Sequence, residues 1–417
     1  MSSADSSRFL LQVAVLLAVG LLFGHAMRRF RLPAVVGELL GGVFLGPTLL
    51  GRAFPSAEAW LFPKSGPVAI ARQGVMQLAV LAFLFVAGLE VNLRQVRQKR
   101  WTVLSTSLWG IALPFACGFL VVNWAPSFWR QPIPPHQLAL FMGAALSITA
   151  LPVIARILLD LEMERTPFAS IVLAAASLDD IAGWTLFATI LSTVSSERRL
   201  LNRWTTIAVV LLLTAFVVTV GRKAIERIRP AVRLRSKNPG TLIAGAGVLT
   251  ILLAAVLEML GVHALFGAFL AGLAMSTGLD VREPEHEIAH QFALGVLAPI
   301  YFVSIGLQAD FLASFDLFLV MTVLGIACLG KIIGATAGAW IGRLPPREAL
   351  AVGFAMNARG AVEIVLASLA LQARLIDERL FVALVFMALI TSLMSGPAIR
   401  ALVSAPADVA PVTASSS

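Results

Sequence analysis

Residues 168–194 form an apolar run long enough to cross a bilayer, and two adjacent acids, Asp179 and Asp180, interrupt its middle. In lipid every backbone polar group must find its partner within the protein, which leaves helices or a closed barrel. Comparable runs recur at about 9–27, 33–51, 67–89, 102–123, 137–159, 204–221, 241–260, 261–277, 289–308, 315–342, 349–373 and 379–403. They predict an all-α polytopic membrane protein of about 13 transmembrane helices. Only 13% of residues are charged, against about a quarter in a soluble domain, so a large soluble domain is excluded. Within 241–277 two short helices are expected, because Gly261-Val-His interrupts the stretch.

Charge gives orientation. The net charge is +9, but its carriers cluster in short loops between apolar runs, which excludes nucleic acid as the natural partner. One set of loops holds Arg28, Arg29 and Arg31, then Arg94, Arg97, Lys99 and Arg100. It also holds the densest cluster, Arg222, Lys223, Arg227, Arg229, Arg233, Arg235 and Lys237. The positive-inside rule then places the N-terminus outside and the C-terminus in the cytoplasm, with 404–417 as a short cytoplasmic tail. The first run lacks a small-residue cleavage site and is read as a retained span. Cys117 and Cys328 lie in apolar runs and suggest no disulfide framework.

Three short segments recur in order. Val36-Gly-Glu-Leu-Leu-Gly-Gly-Val-Phe-Leu-Gly46 echoes Val262-His-Ala-Leu-Phe-Gly-Ala-Phe-Leu-Ala-Gly272. Phe85-Val-Ala-Gly-Leu-Glu-Val-Asn92 echoes Val303-Ser-Ile-Gly-Leu-Gln-Ala-Asp310. Ser147-Ile-Thr-Ala-Leu-Pro152 stands where Ala355-Met-Asn-Ala-Arg-Gly360 stands later. The expectation is a membrane domain over 1–403, with repeats at about 33–194 and 261–403 and linker helices over 204–260. Repeats of inverted topology would bring a midplane site to their interface.

The polar groups within the runs are the candidate site. Thr149 and Pro152 in one run, and Asn357 and Gly360 in another, predict two broken helices whose freed carbonyls and amides face a cation. A simple proline kink is the bland alternative. Lys331 lies too deep in its run to reach the interface and needs an anion, for which Asp179 and Asp180 are the candidates. Neighbouring helical residues point about 100° apart, so one aspartate can face Lys331 and the other a cavity. Arg359 and Glu363 are four residues apart and are expected to pair as electrostatic support. Glu38 and Glu90 fall near run ends, where solvation or capping is the simpler role.

Taken together, these segments resemble the second branch of the monovalent cation:proton antiporter superfamily, the sodium/proton and potassium/proton exchangers. The carriers are Leu32–Pro47, Leu84–Glu90, Ser177-Leu-Asp-Asp180, Gly267–Gly272, Phe302–Gly306, Lys331 and Asn357-Ala-Arg-Gly360. The resemblance implies that Asp180 binds cation or proton and that Asp179 pairs with Lys331; apart from it, a sodium ion prefers hard oxygen ligands, which Asp180, Asp179, Thr149 and the broken-helix carbonyls could supply. The transported ion is thus expected at Asp180 and Asp179, with sodium favoured and lithium or potassium as other candidates. Two acids with the lysine imply electrogenic exchange. A homodimer in lipid, in a bacterial inner membrane, is implied too; no cofactor and no enzymatic activity are. Where such chains often read Pro-Arg-Gly-Glu, this one reads Ala358-Arg-Gly-Ala361, which bears on cation choice.

Three rivals deserve weighing. His286-Glu287-Ile-Ala-His290 is a literal H-E-x-x-H, the signature of an intramembrane zinc protease, with Asp310 or Asp180 as third ligand. It follows a polar loop, and leaves Lys331 and the repeats unexplained. A channel lined by the acids lacks a filter loop, and Lys331 would repel cations. A small organic cation as cargo gains little from the sparse aromatics near the acids, Trp184 and Phe187.

Overall fold

The computed structural model describes residues 2–30, 32–91, 99–163, 166–194, 203–235, 239–276 and 284–403. Arg31, Arg94, Arg97, Lys237 and the tail 404–417, all part of the charge and domain expectations, lie outside the described residues. Among those described there is no strand.

The chain opens with α1 (Ser3–Arg29), α2 (Ala34–Leu45), α3 (Pro67–Glu90) and α4 (Arg100–Trp124). Next come α5 (Pro135–Ser147) and α6 (Leu151–Asp160), one span in two pieces, then α7 (Pro167–Val194), which carries both aspartates. A helix α8 (Arg203–Phe216) runs through a π-turn into the basic α9 (Arg222–Arg235). Then α10 (Pro239–Met259) and α11 (Ala264–Met275) meet at Gly261, whose φ of 80° lies in the left-handed region. A second π-turn joins α12 (Pro284–Phe292) to α13 (Ala298–Gly306). The chain ends with α14 (Leu317–Ile341), the two-piece span α15 (Pro346–Met356) and α16 (Ala361–Gln372), and α17 (Glu378–Leu402).

Among the described residues eleven helices are long and apolar enough to cross a membrane, and the α15–α16 pair, bent by 43°, makes a twelfth. The remaining expected span is α11. Its 12 residues reach roughly 18 Å at about 1.5 Å per residue, short of a bilayer core of about 30 Å. Apolar throughout and buried on every side, α11 is a core element of the bundle.

Backbone contact sets how the helices nest. Gly306 of α13 meets α2 so closely that an added Cβ would lie 2.7 Å from the Gly42 Cα. Gly272 of α11 meets α3 in the same way, 3.0 Å from the Gly88 Cα. Each of the repeated segments thus packs against a partner from the other half of the chain.

A ladder along α14 matters more for the site. Gly330, Gly334, Gly338 and Gly342 recur every fourth residue and form one face, and each lies against α4. Small residues at this spacing let two membrane helices touch through their backbones. Ser105 and Thr102 of α4 then each donate to a carbonyl of that face, at Gly338 and Gly342, both at 2.7 Å. A Cβ at Gly338 would strike the Ser105 carbonyl oxygen. Gly338→Ala is therefore expected to cost about 1–3 kcal/mol in thermal unfolding of the purified protein. Gly325→Ala, on the same helix with no heavy atom within 4 Å of the added carbon, should be neutral.

Candidate ion site

The two broken spans cross. Pro152 lacks the N–H that would continue α5 into α6, so residues 148–150 run extended before the helix restarts. Asn357–Gly360 separates α15 from α16 in the same manner. The two interrupted segments bond directly: the Ala150 N–H donates to the Ala358 carbonyl at 3.1 Å, and the Thr149 hydroxyl lies 3.1 Å from the Met356 carbonyl.

A helix end carries partial negative charge on its last carbonyls, and cations are favoured there. The end of α5 has two. Arg359 donates from Nη1 to the Ala145 carbonyl at 2.9 Å and from Nη2 to that of Leu146. Lys331 donates to the Ser147 carbonyl. Glu363 at the start of α16 takes both contacts from Arg359 Nη1, at 3.1 and 2.9 Å. All four of Arg359, Glu363, Lys331 and Asn357 are buried to 1% exposure or less.

Asp179 sits at the centre of this arrangement. Its Oδ2 accepts from Lys331 Nζ at 2.7 Å and from Thr149 Oγ1 at 3.0 Å. Its Oδ1 accepts from Ser107 Oγ of α4 at 2.6 Å. Asp180, next along α7 and equally buried, contrasts with it: its Oδ1 has no hydrogen-bond partner. Glu90 and Asp179 both add negative field there, and Lys331 opposes them. Among the described residues, then, one acid is saturated with donors and its neighbour keeps an idle oxygen. The Asn357 side-chain oxygen is also buried and idle.

A cavity of about 1020 Å³ opens between α2, α6, α12 and α17, with Arg28, Glu38, Asp160, His290 and Ser392 in its wall. Ser392 also donates to the Arg359 carbonyl, which ties α17 in the cavity wall to the backbone of the crossing. Glu38, expected in a solvated or capping role, is only 4% exposed, with Gly24 of α1 packed against its side chain.

The H-E-x-x-H segment makes no zinc site. His290 Nε2 faces Glu90 Oε1 at 3.4 Å, His286 stacks on His290, and Glu287 accepts from Gln291. Asp310, a suggested third ligand, pairs with Arg52 at 3.0 Å. Among the described residues no three His, Cys, Asp or Glu side chains converge as a metal group.

Two contacts escaped the sequence. Ser107 lies in a helix rich in Ser and Thr, where a hydroxyl more often bonds its own helix. Arg359 reads as the partner of Glu363 alone; its grip on α5 depends on a crossing between residues more than 200 positions apart.

A polytopic helical bundle with two crossed broken spans and a buried acid–lysine pair defines a transporter fold. The chain matches the family described as sodium/hydrogen exchanger, transmembrane, over residues 13–405, and belongs to it. The Na(+)/H(+) antiporter NhaS4 of Synechocystis is 30% identical over 404 residues, covering 95% of this chain and 98% of that protein. Cation/H(+) antiporter 18 of Arabidopsis thaliana is 29% identical over 94% of this chain. This chain spans only 48% of that plant protein, about half its length. In fold it is similar to the sodium proton antiporter MjNhaP1 of Methanocaldococcus jannaschii, with a TM-score of 0.68 over 95% of this chain and 97% of that one, at 15% identity. These relatives are transporters and not enzymes, which removes the protease alternative.

Proposed function

We propose that this chain exchanges a monovalent cation, sodium in the first place, for protons, with both competing for Asp180. The supporting observation is the unequal pair: Asp179 holds Lys331, Thr149 and Ser107, while Asp180 has an oxygen with no partner. A lone buried carboxylate must take a proton or a cation. Each species leaves only when the other replaces it or the site turns to the opposite face.

A cation bridging the acids draws on Asp179 and Thr149 as well, so Lys331 gives up its salt bridge and with it a proton. Two protons against one cation make the exchange electrogenic. Potassium in place of sodium is the alternative within the family, and lithium a further candidate. The repeats 33–194 and 261–403, taken as inverted, rock the broken-span bundle against the remaining helices. The cavity beside Arg28 then opens to the cytoplasm, with the N-terminus outside, in a homodimer of a bacterial inner membrane.

Proton movement in inside-out membrane vesicles tests this. The vesicles are acidified and then challenged with sodium, potassium or lithium salts. Collapse of the pH gradient on adding one cation, absent from vesicles without the protein, is the expected result and names the ion. No response to any of the three overturns it.

A further inference from the structure

We propose that Cys328, Met394 and Asn357 form a second cation site, one that takes a soft monovalent metal ion, silver(I) or copper(I), and not the hard ions suited to Asp180. The two sulfurs come from different helices, Cys328 from α14 and Met394 from α17, and Sγ lies 3.8 Å from Sδ. Asn357, in the break between α15 and α16, turns its amide toward both: Nδ2 stands 3.4 Å from Sγ and 3.9 Å from Sδ. The Asn357 side chain is fully buried, and its Oδ1 has no hydrogen-bond partner. Cys328 and Met394 are half-buried, which keeps the pair within reach of the bundle surface.

Thiolate and thioether sulfur select soft metals, whereas hard cations keep to oxygen ligands. A metal–sulfur bond is about 2.3 Å, so one ion bridges sulfurs 3.8 Å apart at an S–metal–S angle of roughly 110°. That bend leaves a third position open on the side of Asn357. A half-turn of the amide exchanges its two ends and presents Oδ1 there in place of Nδ2. Binding replaces the Cys328 S–H bond by an S–metal bond and passes the thiol proton to the buffer, with no change of oxidation state. Each sulfur sits beside a contact of the crossing. Lys331 is one turn from Cys328 on α14, and Ser392, two residues before Met394, donates to the Arg359 carbonyl. An ion held there ties α14, α17 and the break together, so occupancy stabilises the folded chain.

Silver nitrate is the probe, titrated in chloride-free buffer against the full-length Cys117→Ser protein in micelles, which leaves Cys328 as the one thiol. Imidazole in excess buffers free silver, and bound silver is measured by elemental mass spectrometry. The expected result is one silver ion per chain, unaffected by excess sodium nitrate, with a raised thermal unfolding midpoint. Met394→Leu in the same background keeps the side-chain volume and should bind more weakly by about tenfold or more, since even the loss of a partner outside the ligand set typically costs that much. Equal affinity in Met394→Leu means a lone thiol and overturns the proposal, as does displacement of silver by sodium or no binding at all. Should the leucine variant fail to fold, silver X-ray absorption on the Cys117→Ser protein decides the same point. Two sulfur neighbours are expected there, and a single one overturns the proposal.

Discussion

Asp180→Asn should abolish cation-driven proton movement in membrane vesicles while leaving the protein folded. Both halves follow from one geometry. The Asp180 carboxylate is enclosed, carries an oxygen without a partner, and has Asp179 and Glu90 adding like charge. Asparagine keeps the size and removes the titrating charge, so neither proton nor cation has a reason to bind. Folding loses nothing comparable, since an unpartnered buried charge destabilises the chain that carries it. The vesicle signal should fall to that of vesicles lacking the protein, and the thermal unfolding midpoint should hold or rise. Native-like exchange by this variant would remove Asp180 from the transport cycle.

Lys331→Met should do the reverse, striking stability first. The ammonium is fully enclosed, bonds Asp179 at 2.7 Å and caps the Ser147 carbonyl at the end of α5. Methionine fills the space but leaves a buried anion and a helix end without their cation. Breaking one partner of a buried pair costs about 3–5 kcal/mol. The double variant Asp179→Asn with Lys331→Met removes both charges and should regain more than half of that loss. Reversible unfolding of the four proteins in mixed detergent micelles gives the coupling directly. Additive losses would mean that the two residues are not energetically joined.

These two residues were legible in the sequence because charge inside an apolar run is conspicuous and demands a counter-charge. Proline and glycine made the interruptions at 148–150 and 357–360 legible in the same way. The stretch expected at 261–277 is a helix of 12 residues, α11, buried on all sides. Glu38 misled through position, since nothing local announces that Gly24 packs over it. Ser107 and the reach of Arg359 to Ala145 were not legible at all. Both depend on contacts made only after helices distant in sequence are stacked, and a hydroxyl in an apolar helix has a cheaper partner one turn away.

The idle oxygen of Asp180 has a consequence for thrift. In the proposed cycle Asp179 and Lys331 neutralise each other while the site is empty, and Asp180 is then left with a whole charge that neither proton nor cation partners. Carrying that charge past the apolar walls of the bundle is opposed by its own solvation, whereas the proton-loaded site passes as a neutral one and the cation-loaded site shares its one negative charge between two carboxylates and the cation. Unloaded return is thereby suppressed without any latch. A transporter wired this way wastes little of the gradient that drives it, and neutralising Asp180 would forfeit that safeguard together with the activity.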